Sequence, residues 1–416
     1  MSKPPPRKPR IAEPKRTQVV MRFEVPEDAL PPEHPARVLW NVVGTLDLTR
    51  FVEGVKAVEG TVGRRVTSPQ VKLVLWLYAV WEGTGSAREI ARRVQTDLAY
   101  RWIVGDLAIG HHALSKFRAA HGAALDALMT DILAALLHKD ALSLAVVAQD
   151  GMRVRADATA PSYRRLPSLL ECHEQAALHL KAVLAQADDP ELTRGQYARR
   201  VAAAQDFQRR VAAAIATVDE LQQTRKAPAS PARASTTDAM ARVMKMADGG
   251  FRPAYNVQFA TAGAPFGGPR TIVGVRVTNI GSDMGSLTPM LDDVERRTGQ
   301  LPATLLADAG HASHADLCAV AARGVEAIVA VPDRTQQRPV SPTDDPAITA
   351  WRARMDTDEA KRAYRGRASL CELTNAHARD HGLEHFLVRS LGKVTGVVLM
   401  AAIVANIFQH ATTLLA

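Results

Sequence analysis

The chain has 416 residues, 47% hydrophobic and 23% charged, enough for two or three domains around a large core. Its net charge of +9 points to a polyanionic partner, nucleic acid first. Three scattered cysteines fit a reducing cytoplasm and exclude a disulfide framework or zinc module, and the N-terminus lacks the apolar segment of a signal peptide.

Much of the positive charge is local. From Met1 to Arg22 there are seven Lys/Arg against Glu13, in a Pro-rich context, so residues 1–28 are expected to form a disordered basic arm. Residues 29–139 read as an all-α domain. "VKLVLWLYAVWEG" (71–83) is apolar nearly all round and predicts a central buried helix. "SAREIARRVQTDLAYRWIVG" (86–105) opens with a capping box, Ser86 and Glu89. It puts Ile90, Val94 and Leu98 on one face, with Arg88, Arg92 and Arg93 opposite. The run from His111 to Lys139 predicts another long helix, with Lys116 and Arg118 near its start. Compact basic helices of this kind suit a helix-turn-helix-like DNA-binding domain, and also a plain bundle with a solvated face.

At Ala141 the period changes. "ALSLAVVAQDGMRVRADA" (141–158) predicts a strand in which Val146, Ala148, Asp150, Met152 and Val154 share a face, so Asp150 stands in an apolar row. A carboxylate there is costly unless something uses it. Residues 162–236 read as a helical insertion with two apolar stripes. One is Leu169, Cys172, Ala176, Leu180 and Leu184; the other is Val201, Phe207, Val211, Ile215 and Val218, with Pro190 in the break. Strands "AYNVQFATA" (254–262) and "TIVGVRVTN" (271–279) follow, joined by a Gly/Pro-rich hairpin loop. Then come a helix from Asp283 to Arg297, a strand ending at Asp308, a helix from Ser313, the strand "EAIVAVP", a polar loop and closing helices. Asp283 reads as the N-cap of its helix, and His311 and His314 as turn and helix-start residues. The most apolar run, Val397 to Phe408, is about a dozen residues and contains Asn406; it predicts a buried C-terminal helix and no membrane span.

Three strands, then alternating helices and strands, is the order of a ribonuclease-H-like α/β fold: a mixed sheet flanked by helices, here over residues 140–416 with the insertion after its first strand. In that architecture the first and fourth strands, carrying Asp150 and Asp308, lie side by side, and a later helix can bring Glu372 to both. Three converging carboxylates repel unless cations neutralise them. Mg²⁺, hard and oxygen-liganded, is the natural choice, and two such ions would suit phosphodiester chemistry.

The segments "VVAQDGMRVRADA", "GGFRPAYNVQFAT", "VTNIGSDMGSLTPML", "LLADAGHASHADL" and "YRGRASLCELTNAHARDHGLEHFLVRSLGKV" occur in order, after "LWLYAVWEGTGSAREIARRVQTDLAYRWIVG". Together they resemble the DDE-type transposases of bacterial insertion sequences, in the branch with a helical N-terminal domain and a Tyr/Arg/Glu/Lys signature on the active-site helix. The resemblance implies Asp150, Asp308 and Glu372 as catalytic and metal residues, with two Mg²⁺ ions for which Mn²⁺ can substitute. It implies Tyr364, Arg367 and Arg379 as phosphate-binding residues. Two departures stand out: four residues separate Arg367 from Glu372 where many relatives have three, and Arg379 takes the place of the usual Lys. The implied activity is Mg²⁺-dependent cleavage at insertion-sequence ends and transfer of the 3′-OH into target DNA. Double-stranded DNA, both terminal inverted repeats and target, would be the partner, with a homodimer formed on DNA and a bacterial, nucleoid-associated cytoplasmic location. A catalytically inactive end-binding remnant or regulator, or a nuclease without strand transfer, are the alternatives.

Overall fold

The computed structural model describes residues 25–53, 55, 66–105, 107–224, 231–264, 267–332 and 345–416. The basic arm through Glu24, part of the return from the insertion and most of the loop after Pro332 lie outside the described residues.

The N-terminal region begins with α1 (Pro35–Thr45) and α2 (Pro69–Trp81). As its uniform apolarity predicts, α2 is buried from Val71 to Val80 apart from Lys72. The 86–105 run divides into α3 (Ala87–Thr96) and α4 (Leu98–Val104), because Asp97 ends one helix and caps the next through the N–H groups of Ala99 and Tyr100. Ile90 and Val94 are buried as expected, but Leu98, beyond the break, is exposed. Ser86 accepts from the Glu89 N–H, while the Glu89 carboxylate turns to Arg92 and Arg93 instead of closing the capping box. The expected long helix from His111 is also two helices, α5 (His111–Ala120) and α6 (Gly122–His138), bent by 68° at His121. Arg118 is buried: it donates to the Gly85 carbonyl and lies over the Trp76 ring, and burial pushes its guanidinium down to about 10. It is a packing residue, unavailable to DNA.

The first strand, β1 (Val146–Arg155), leads into a short β2 (Tyr163–Arg164) and the helical hairpin α7 (Leu166–Leu184) and α8 (Arg194–Thr224). The buried line on α7 is Leu169, Ala176 and Val183, at heptad spacing, against Ala204, Val211 and Val218 on α8. Leu184, expected in the stripe, is exposed. The short β3 (Ala234–Ser235) pairs back on β2.

The main sheet is completed by β4 (Arg242–Lys245), β5 (Phe251–Ala264), β6 (Gly267–Thr278), β7 (Thr304–Ala307) and β8 (Glu326–Val329). Helices α9 (Leu287–Thr298) and α10 (His314–Ala322) connect the later strands. One edge of β5 carries β4 and β6, both antiparallel, and the other pairs antiparallel with β1; β1, β7 and β8 then run parallel. The architecture is a mixed sheet with helices packed against it, beside a helical N-terminal region. Closing the chain are α11 (Pro346–Met355), α12 (Asp358–Arg365), α13 (Arg367–Asp380) and α14 (Leu391–Leu415).

α14 has 25 residues, twice the apolar run noted in the sequence, and is long and apolar enough to cross a membrane. It is instead 61% buried over its most apolar window, packed on α1, α2, α5, α6 and the edge strand β6. Its polar residues serve that packing. Asn406 accepts from the Ile272 N–H and donates to the Ile272 carbonyl, and His410 bonds Thr271, so the edge of β6 is satisfied by a helix instead of a strand. One hydrophobic core runs continuously from Leu30 through the sheet to Leu414.

Candidate active site

β1 and β7 are in parallel register with Ala148 opposite Leu306. Two residues further along each strand are Asp150 and Asp308, at the carboxyl end of the pair where the sheet switches from antiparallel to parallel. Crevices at such switch points are the usual ligand sites of open α/β sheets. α13 lies across β1 and β5, burying Leu370, Cys371, Thr374, Asn375 and Ala378.

A ridge of α13, stepping four residues at a time, meets the carboxylates. Arg367, half buried, brings Nη1 to 3.7 Å from Asp150 Oδ2 and Nη2 to 3.4 Å from Glu372 Oε1, so its guanidinium bridges the two. Its plane lies over the Tyr364 ring, with 5.6 Å to the centroid. Tyr364 lies in the last turn of α12, which ends at Arg365, and Gly366 separates it from α13. Asn375 donates to Asp150 Oδ2 at 3.1 Å, and its own buried Oδ1 has no hydrogen-bond partner among the described residues. Cys371 lies between them, and burial pushes its thiol well up, keeping it protonated.

The two aspartates are tuned apart. Burial pushes Asp150 above the usual carboxylate range, aided by the charge of Asp308, against the pull of Arg367 and the Gly151 N–H. A hydrogen bond from His311 Nδ1, 2.7 Å from Oδ1, holds Asp308 below its usual value despite burial. His311 is fully buried, and its Nε2 has no partner among the described residues. The sequence treats His311 as a turn residue; an Asp three residues ahead of a His across a tight turn was the only hint of this pair.

Glu372 is on α13 but turned outward, its side chain 63% exposed. Among the described residues no group of three or more His, Cys, Asp or Glu side chains is gathered closely enough to hold a metal ion. The donor chemistry nonetheless fits a hard cation: carboxylate oxygens, one of them on the half-buried Asp150, beside the Asn375 amide oxygen, which has no partner among the described residues. The positive charge between Asp150 and Glu372 is supplied by Arg367.

Arg379 stands two turns beyond Glu372, exposed, on the wall of a groove that Gly151 and Arg153 also line. The other face of β1 holds a polar cluster centred on Asp283. It is not the N-cap of α9, which starts at Leu287. Asp283 pairs with Arg153 at 2.8 Å and accepts from Asn256 and Gln258 at 2.7 and 2.9 Å. The N–H groups of Leu287 and Thr288 are capped instead by Asp316 on α10. A Cβ on Gly151 would come within 2.7 Å of Asp283 Oδ1 and 3.0 Å of Asn256 Oδ1. Gly151→Ala is therefore expected to lower stability by about 1–3 kcal/mol in urea denaturation, since the carboxylate it would displace is held by Arg153, Asn256 and Gln258.

Residues 24–120 match the family model described as Transposase domain (DUF772). The match covers α1 through α5 and supports a transposase. Comparison with curated proteins gives no match, and comparison with solved structures gives none.

Proposed function

We propose that the chain is a DNA transposase of the DDE type, cleaving at insertion-sequence ends and transferring the 3′-OH into target DNA. The observation that carries this is the placement of Asp150 and Asp308 at adjacent parallel strand ends, under a helix whose Arg367 joins Asp150 to Glu372. The match of residues 24–120 supports it. So does the strand order: apart from the short β4, the antiparallel β1, β5 and β6 are followed by the parallel β7 and β8, with a helical hairpin inserted after the first strand, which fits a ribonuclease-H-like catalytic unit.

Asp150, Asp308 and Glu372 would hold Mg²⁺, or Mn²⁺ in its place, which when bound supplies Lewis-acid stabilisation of charge on the scissile phosphate. The chain's own groups do the positioning. His311 fixes the orientation of Asp308, and Asn375 that of Asp150. Arg367, over the Tyr364 ring and between Asp150 and Glu372, places a guanidinium beside the position a scissile phosphate would take. Arg379 takes a phosphate further along the strand. The partners in this reading are terminal inverted repeats and target DNA, engaged by a homodimer on DNA beside the nucleoid.

The test is incubation with the terminal DNA of the element that encodes the chain, with Mg²⁺ or with chelator, mapping cleaved ends and joined products. Chelator-sensitive nicking at the ends with 3′-OH joining is the expected result. End binding without cleavage would reduce the chain to a binding remnant, and cleavage without joining to a nuclease; either overturns the proposal.

A further inference from the structure

We propose that the outer flank of α7 is a docking surface for the α7 of a second copy of this chain, the two helices running antiparallel about a two-fold axis. This gives the homodimer of the transposase reading a surface, and it rests on that reading only for what the dimer serves. α7 packs in the main against α8, and its buried line of Leu169, Ala176 and Val183 faces that helix. One residue further on, a second line with the same seven-residue spacing runs through Leu170, Ala177 and Leu184. Leu170 is 53% exposed and Leu184 45%, and Leu178, on the same side, is 62% exposed. At about 100° per residue these four positions fall in one stripe beside the buried line. Three bare leucines gathered on one flank of one helix differ from apolar residues scattered singly over a surface, and mark a site of association.

Two charges on the stripe identify the occupant. Glu174 has Leu170 and Leu178 one turn to either side, and Lys181 has Ala177 and Leu184. Both are exposed. No Lys or Arg lies within four residues of Glu174, and no Asp or Glu within four of Lys181, so neither is paired along its own helix. Glu174 stands three residues before Ala177, and Lys181 three residues after Leu178. A two-fold axis between Ala177 and Leu178 therefore sets Glu174 of each copy against Lys181 of the other. It also brings the Leu170 end of one stripe to the Leu184 end of the other. The flank is thus complementary to itself, as an isologous interface requires. A parallel pair in register would set Glu174 on Glu174 and Lys181 on Lys181, and both repulsions oppose it.

The seam from Leu170 to Leu184 is about 21 Å long, short for a permanent interface. Free chains therefore associate weakly, and two copies held on one DNA gain from their raised local concentration.

The experiment cross-links the full chain under mild oxidation, without DNA, in a Cys172→Ser background and in variants whose circular dichroism matches wild type. Ala177→Cys, beside the axis, is expected to give a disulfide-linked dimer that the background chain does not give. Leu170→Cys alone is expected to stay monomeric, while an equal mixture of Leu170→Cys and Leu184→Cys chains cross-links between the two. Adding Lys181→Glu to Ala177→Cys should slow cross-linking about tenfold by setting like charges together, and adding Glu174→Lys as well should restore the rate to within about twofold. A monomeric Ala177→Cys chain overturns the proposal, whether the stripe is bare or covered by another part of the same chain. So does self-cross-linking of Leu170→Cys, which marks a parallel pair, and so does a Lys181→Glu rate equal to that of its parent. Because no DNA is present, these failures leave the transposase reading standing. Cross-linking by a chain that does not cleave terminal DNA keeps the interface and sinks that reading.

Discussion

Asp150→Asn is expected to reduce Mg²⁺-dependent cleavage of terminal DNA by on the order of 10³-fold, while leaving affinity for that DNA within about twofold. The carboxamide keeps the shape and can still meet Asn375, but it removes the negative charge that a divalent cation needs. The same substitution should raise the melting temperature of the metal-free protein. Burial holds the Asp150 carboxyl above its usual range, so ionisation costs folding energy at neutral pH. The sign follows directly. The gain from Asn is present above the folded pKa of Asp150 and disappears as the pH falls through that value towards the unfolded one. A variant that is inactive and also less stable at pH 7 would mean the site is merely structural. Glu372→Gln tests a different point, since Glu372 is exposed and can reach the two aspartates only by a change of rotamer or a closing of α13. It should lose activity with no gain in stability.

Arg297→Met is expected to destabilise the chain by about 3 kcal/mol, read as a lower urea midpoint at unchanged slope. Arg297 on α9 is almost fully buried, and it meets Asp293 at 2.9 Å and Asp126 of α6 at 2.5 Å. Removing it leaves the carboxylate of Asp293, itself 10% exposed, with Arg296 and the Val275 N–H as its remaining partners among the described residues. Replacing Arg296, which is half exposed, should cost under about 1 kcal/mol. If the two substitutions cost the same, burial of Arg297 between α9 and α6 does not set its contribution.

What could be read from the sequence follows the range of the interactions involved. The strand around Asp150, the strand ending at Asp308 and the helix bearing Glu372 were visible because apolar alternation and helical period are local. The breaks at Asp97, His121 and Gly366 were not, since each is set by a cap or by packing that the period cannot see. Asp283 shows the reason most clearly. As a short polar residue just ahead of a helix it has every mark of an N-cap, yet it serves as the buried acceptor for Arg153, Asn256 and Gln258 on two strands. His311 was passed over for a similar reason: its pairing with Asp308 is near in sequence, but its complete burial comes from the surrounding fold. On α7 the heptad line Leu169, Ala176 and Val183 won over the more apolar Leu180 and Leu184, because an antiparallel partner helix selects the 3.5-residue repeat.

The position of α14 bears on how the chain is made as well as how it stands. Helices α1, α2, α5 and α6 bury part of their apolar surface against α14, which lies far along the chain from them. Without α14 those helices still pack on one another, but the apolar surface that α14 covers is left open, so the N-terminal region completes its core only when that distant helix docks. A chain cut short before α14 would therefore expose the apolar surface of α1, α2, α5, α6 and β6 that this helix covers.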